Sequence, residues 1–155
     1  MLDIKQYTAE IVIPTLEHLA LYSKAAENLI VGTAVQESHL TYLRQVGGGP
    51  ALGVCQMEPA THDDIWENYL SYRSELKNRV DRLLAPYKPK VEQLVGNMPY
   101  AVAMTRVHYM RVPHALPSAD DAEALGQYWK AHYNTEQGAG TVAEFVLNYR
   151  KYVRA

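Results

Sequence analysis

Between Ala34 and Asp64 the chain reads AVQESHLTYLRQVGGGPALGVCQMEPATHDD, which sets a carboxylate, a glycine loop and a glutamine close together. Glu37 has Ile30, Val31, Val35 and Leu40 nearby, and the residues one turn back, Thr33 and Ala34, are small. A carboxyl group in apolar surroundings has its ionised form disfavoured, so its pKa rises. That suits a general acid working near neutral pH. A Glu-Ser pair taken alone is more often a helix end that faces water. The segment that follows shifts the balance. Three glycines at 47–49 allow backbone conformations closed to other residues, and Gly53 and Gln56 then precede Pro59, with the Gln56 amide free to meet a bound sugar. Much later, HYNTEQGAG ends a helix on Tyr133 and Asn134, followed by Gly138 and Gly140.

Other groups are open to the same questions. Glu58 is the obvious second carboxylate, and its placement, in a cleft or in solvent, is open. Asp63 and Asp64 read as negative charge favouring a helix start. His62, Asp63 and Asp64 are consecutive, so on a helix they point apart and do not share a metal. His108, His114 and His132 lack ligand spacing, and no metal is expected. Cys55 lies in the loop without a cysteine-enzyme signature around it. Arg106 and Arg111 read as a solvated helix face, with acidic sugars or peptide carboxylates as the alternative ligand. Trp66 and Trp129 fall on apolar helical faces and read as core. The 12 tyrosines beside one phenylalanine read mainly as half-buried rings with wet hydroxyls, a few of them lining a sugar site.

The elements that must position these groups are helical. Apolar residues recur from Ile11 to Ala20 at roughly helical spacing, with Pro14 expected to kink or split that helix. AAENLIVGTAVQESHL is apolar around most of its circumference, the pattern of a buried helix. Thr61 with Asp64 three residues on predicts a capped helix start, and Ser118 with Asp121 and Thr141 with Glu144 repeat the pattern before AEALGQYWKAHYN and FVLNYRKYV. A further helix is expected over Leu76 to Leu84, a short one in KPKVEQLVGN closed by Gly96, and one in MPYAVAMTRVHYMRV from Pro99 to before Pro113. The glycine-broken stretch near 42–55 tolerates a small β-hairpin. The expectation is one all-α or α-dominated domain spanning 1–155, with seven or so helices.

Composition bounds the function. The chain has 155 residues, enough for one domain with a real core, and carries a net charge of −2. No basic stripe marks a nucleic-acid binder, and no polybasic segment marks a membrane-surface protein. One cysteine excludes an intrachain disulfide. The N-terminus lacks the pattern of a signal peptide and no stretch is long enough to span a bilayer. Synthesis in the cytoplasm is therefore expected, with no stable membrane insertion.

QESHL, then ALGVCQMEPAT, then HYN resembles the lytic transglycosylase and goose-type lysozyme group of the lysozyme-like superfamily, and the longer run through PATHDDIW resembles its bacteriophage members. The likeness covers about residues 28–140. It implies a lysozyme-like helical domain that cuts peptidoglycan glycan strands between N-acetylmuramic acid and N-acetylglucosamine, as a lytic transglycosylase or a muramidase. It implies Glu37 as the catalytic acid/base, with Ser38 orienting it or touching substrate. Gly53 and Gln56 would lie in the loop beneath the sugars. Tyr133 and Asn134 would close the other side, the tyrosine hydroxyl bonding the Glu37 carboxyl. No cofactor is needed, a monomer is expected, and the wall would be reached as an endolysin or a virion-packed lysin. The chain departs from the family's pattern at Val54 and Cys55, where larger apolar residues are usual, and at Thr135 and Glu136, where Ala-Gly is common. The altered residues after the Tyr-Asn pair motivate the alternative, a virion or assembly protein that keeps the fold without the activity.

Overall fold

The computed structural model describes residues 1–134 and 138–154, so Thr135 and Glu136 lie outside the described residues. The all-α expectation holds. The first helical run comprises α1 (Ile4–Tyr7), a wide π-helical turn Thr8–Val12, and α2 (Ile13–His18). Pro14 sits in the first turn of α2. The run stays helical on both sides, and the widened turn before the proline divides the helix as the proline predicts.

Helix α3 (Lys24–Ser38) is the central element. Ser23 caps it by accepting from the Ala26 N–H at 3.0 Å. Every residue from Ala26 to Val35 is buried, as an apolar circumference requires. Helix α3 is followed by α4 (Pro59–Asn68), α5 (Ser74–Asp81), α6 (Gln93–Gly96), α7 (Met98–Met110), α8 (Ala122–Trp129) and α9 (Val142–Asn148), the last two extended by π-helical turns Lys130–Asn134 and Tyr149–Val153; of these, α7, α8 and α9 pack on α3. The apolar side chains form two clusters. One joins α1, α2 and α3 to α8 and α9 around Leu29, Ile30, Trp129 and Phe145. The other gathers α4, α5 and α6 around Ile65, Leu70 and Leu94. Helix α7 belongs to both, giving Val102 and Tyr109 to the first and Met104 and Val107 to the second.

Four helices differ from the sequence reading at their ends. Helix α4 begins at Pro59, with Glu58 before it, so Thr61 is already inside the first turn and caps nothing. A proline at the first helical position outbids a threonine two residues later, because its φ is already helical. Helix α8 is capped by Asp121, which accepts from the Ala124 N–H at 3.0 Å, and not by Ser118. Helix α6 is not closed by a left-handed Gly96; Asn97 follows and caps α7 at the Tyr100 N–H. Thr141 does cap α9, accepting from the Glu144 N–H at 3.2 Å. The helix expected over Leu76 to Leu84 starts and stops earlier, at Ser74–Asp81.

The expected hairpin near 42–55 contracts to isolated antiparallel bridges, Arg44 with Leu52 and Leu52 with Met57, and no sheet forms among the described residues. This loop is held to α3 by Ser38. Its hydroxyl donates to the Val54 carbonyl at 2.6 Å and accepts from the Leu40 N–H at 3.1 Å. Ser38 is buried, and removing its hydroxyl leaves both groups unpaired. Ser38→Ala is expected to cost about 1–3 kcal/mol, read as a lower urea midpoint. No helix among the described residues is long and apolar enough to cross a membrane.

Candidate active site

The last turn of α3, the 39–58 loop, the start of α4 and the end of α8 meet at a cleft of about 640 Å³. Glu37, Gln56, Glu58, Tyr133 and Asn134 all line it, together with Trp129. Five of the seven residues singled out from the sequence thus converge, although Tyr133 and Asn134 are nearly a hundred residues from Glu37.

Glu37 is largely buried at the end of α3. Burial pushes its carboxyl up from 4.5 to about 7, against the opposing pull of hydrogen bonds from Trp129 and Asn134 and of the Lys130 charge. The Trp129 indole donates its N–H to Glu37 Oε2 at 3.0 Å. An indole N–H can only donate, so Glu37 Oε2 is the acceptor in this bond and the bond favours the ionised carboxylate. Trp129 is fully buried and stacked on Phe145 at 5.4 Å. Gly140 presses on the same indole: a Cβ there would come within 2.6 Å of the ring. Trp129 is core, as its apolar face predicts, but its one polar atom meets the carboxyl, which hydrophobic patterning does not reveal. Trp129→Phe keeps the ring and removes the donor. Its pH–rate profile is expected to extend to higher pH, with about a ten-fold lower rate.

Two of the expected substrate-binding residues face the protein instead. Ser38 is turned to the Val54 carbonyl and is not on the cleft wall. Gly53 is buried with φ +78°, its N–H bonded to the Leu43 carbonyl at 2.7 Å and its α-carbon against the Leu94 carbonyl of α6. Both shape the loop that forms the floor. Gln56 does reach the cleft, with its amide Nε2 turned back to the Gly53 carbonyl at 2.9 Å. The expected bond from Tyr133 to Glu37 is not made; the hydroxyl donates to the Cys55 carbonyl at 2.5 Å and so ties the end of α8 to the loop. Glu58 lines the cleft from an exposed position at the start of α4. Glu144, also on the wall and exposed, is held by the Thr141 hydroxyl at 3.2 Å. Tyr42 joins Tyr133 on the lining, whereas Tyr7, Tyr100, Tyr109 and Tyr149 are fully buried.

His108 was not expected here. It lines the cleft and packs edge-on against Tyr133 at 5.0 Å. Burial, then the neighbouring Arg111 charge, lower it to about 4, so it is neutral. Arg111 donates to its Nδ1 at 2.8 Å, which assigns the ring proton to Nε2. The solvated face expected for Arg106 and Arg111 is not found. Arg106 is buried, and Arg111 is half-buried and paired with Asp64 at 2.6 Å. Burial pushes the Cys55 thiol up to about 11, so no thiolate nucleophile forms near neutral pH. His62 is bonded to Asp63 and to the Tyr100 hydroxyl, and no metal-ligating group of three is found among the described residues.

The arrangement can do one thing well. It holds a carboxyl that keeps its proton up to about pH 7, with one oxygen bonded to the Trp129 indole, in a cleft of about 640 Å³. Comparison of the chain with known proteins returns no matching family model, no matching curated protein and no matching solved structure.

Proposed function

We propose that the protein cleaves peptidoglycan glycan strands between N-acetylmuramic acid and N-acetylglucosamine, with Glu37 as acid and then base. The observation that carries the reading is the Glu37 carboxyl itself, raised to about 7 in the cleft with Oε2 held by Trp129. In the forward step Glu37 gives its carboxyl proton to the glycosidic oxygen as the bond to the anomeric carbon breaks. In the second step the carboxylate takes a proton back, either from water or from the sugar's own primary hydroxyl.

A two-carboxylate hydrolase places its second carboxyl at a defined separation from the first, roughly 5–5.5 Å for retention and 6.5–9.5 Å for inversion. Glu58 and Glu144 are both exposed, and Glu144 is engaged by Thr141. This favours the route that needs one carboxylate, in which the primary hydroxyl attacks the anomeric carbon and an anhydro sugar leaves. Digestion of purified peptidoglycan, with released muropeptides weighed, tests both levels. Fragments lighter by one water than the hydrolysis products are expected. Reducing-end fragments would replace the transglycosylase by a muramidase, and no release of fragments would overturn the proposed activity.

A further inference from the structure

Lys130 follows Trp129 directly and precedes Asn134 by one helical turn, and both of those neighbours bear on Glu37. Its Nζ donates to Asn134 Oδ1 at 2.8 Å, to the Gly138 carbonyl at 3.0 Å and to the Gly140 carbonyl at 2.7 Å. An ammonium has three N–H groups, so these three acceptors use its whole donor capacity. All three acceptors belong to residues on the cleft wall. None of them is charged, and the positive charge therefore remains to act on its surroundings, Glu37 among them. With the Asn134 oxygen taken by Lys130, the NH₂ of that amide is the group left to face the Glu37 carboxyl.

We infer that Lys130 is a positioning residue for Glu37: its ammonium ties the end of α8 to the 138–140 segment and so fixes the Asn134 amide and the Trp129 indole against the carboxyl. Gly140 connects the parts, since its carbonyl accepts from Lys130 while its α-carbon closes over the indole. The inference rests on the reading of Glu37 as the acid, but it concerns the behaviour of the carboxyl whether or not glycan is cut. Once Glu37 has given up its proton, the cage presents two donors and one positive charge to the new carboxylate. That favours the ionised form, in opposition to burial. The other titratable groups that face Glu37 are neutral near pH 7. Cys55, from the loop, is held protonated, as are Tyr109 of α7 and Tyr133 past α8, and His108 of α7 is uncharged. Glu58 and Glu144 stand exposed on the cleft wall.

The test combines two readouts on the full chain: titration of ¹³C-labelled glutamate by NMR, and the pH profile of glycan release. Lys130→Met is expected to raise the Glu37 midpoint by roughly half a unit to one unit and to lower the neutral-pH rate about ten-fold or more. Its alkaline limb should move to higher pH. Lys130→Arg, which keeps the charge and the donors, should bring the midpoint back. Lys130→Gln, which keeps length and polarity without charge, replaces Lys130→Met if that variant fails to fold. A folded, uncharged variant whose Glu37 titrates as in the wild type overturns the inference and leaves Lys130 a structural staple. If the wild type releases no fragments, the proposed activity falls and the NMR titration still decides the role of Lys130.

Discussion

Glu37→Gln is expected to lower glycan release by about 10²–10⁴-fold, the range in which positioned acid–base groups contribute, and to make the protein more stable at alkaline pH. Both effects come from the same burial. In the unfolded chain the carboxyl ionises near 4.5, whereas in the fold it does so near 7. The fold therefore binds the proton more tightly than the unfolded chain does. Below about pH 4.5 both states are protonated and the group is neutral to stability. As pH rises from 4.5 to about 7 the unfolded state gains more from ionising, and above 7 the full cost, about 3 kcal/mol, is present. Glutamine has the same shape, keeps an oxygen for the Trp129 N–H and never ionises. The melting temperatures of wild type and Glu37→Gln should thus converge near pH 4.5 and separate by pH 8, with the variant higher. Wild-type activity should fall as pH passes upward through about 7, where the acid loses its proton. A variant that is folded and still releases fragments would remove Glu37 from the chemistry.

Gly53→Ala is expected to destabilise the protein by about 2–5 kcal/mol and to abolish activity with it. At φ +78° the residue is in the region that side-chain-bearing residues rarely adopt. A Cβ would also overlap the Leu94 carbonyl oxygen, which belongs to helix backbone and cannot swing away. The strand-like pairing of Leu43 with Gly53 would have to give, and with it the Val54 carbonyl that holds Ser38. Urea unfolding should show the loss as a lower midpoint. A surface loop glycine serving only to approach substrate would leave that midpoint unchanged, so the measurement separates the two roles of Gly53.

Much of the helical plan was legible because it is written in local chemistry. The apolar circumference of Lys24–Ser38 predicted burial, and the pairing of Thr141 with Glu144 predicted a cap that the structure uses. Where two local signals compete, the local sequence does not rank them: Pro59 starts α4 ahead of Thr61, and Asp121 takes the cap from Ser118. In the site, residue types and order pointed to Glu37, Gln56, Tyr133 and Asn134, which line one cleft. Ser38 and Gly53 lie in the right loop but face inward, because direction within a loop is set by long-range hydrogen bonds that no local pattern records. For the same reason Trp129 and Lys130 were missed. The Trp129 N–H meets an α3 residue some ninety positions away, and the Lys130 ammonium meets acceptors at Asn134, Gly138 and Gly140 that no helical periodicity marks.

The indole bonded to Glu37 also makes the site optically self-reporting. Only two tryptophans are present, and Trp66 instead donates its N–H to the Tyr100 hydroxyl. With Trp66 replaced by phenylalanine, emission would come from Trp129 alone, whose N–H ends on the ionising carboxyl. Its intensity and wavelength would follow the proton on Glu37 as pH is varied. They would respond again when a glycan displaces water from the cleft, so that proton occupancy and ligand occupancy could be followed in one cuvette without a label.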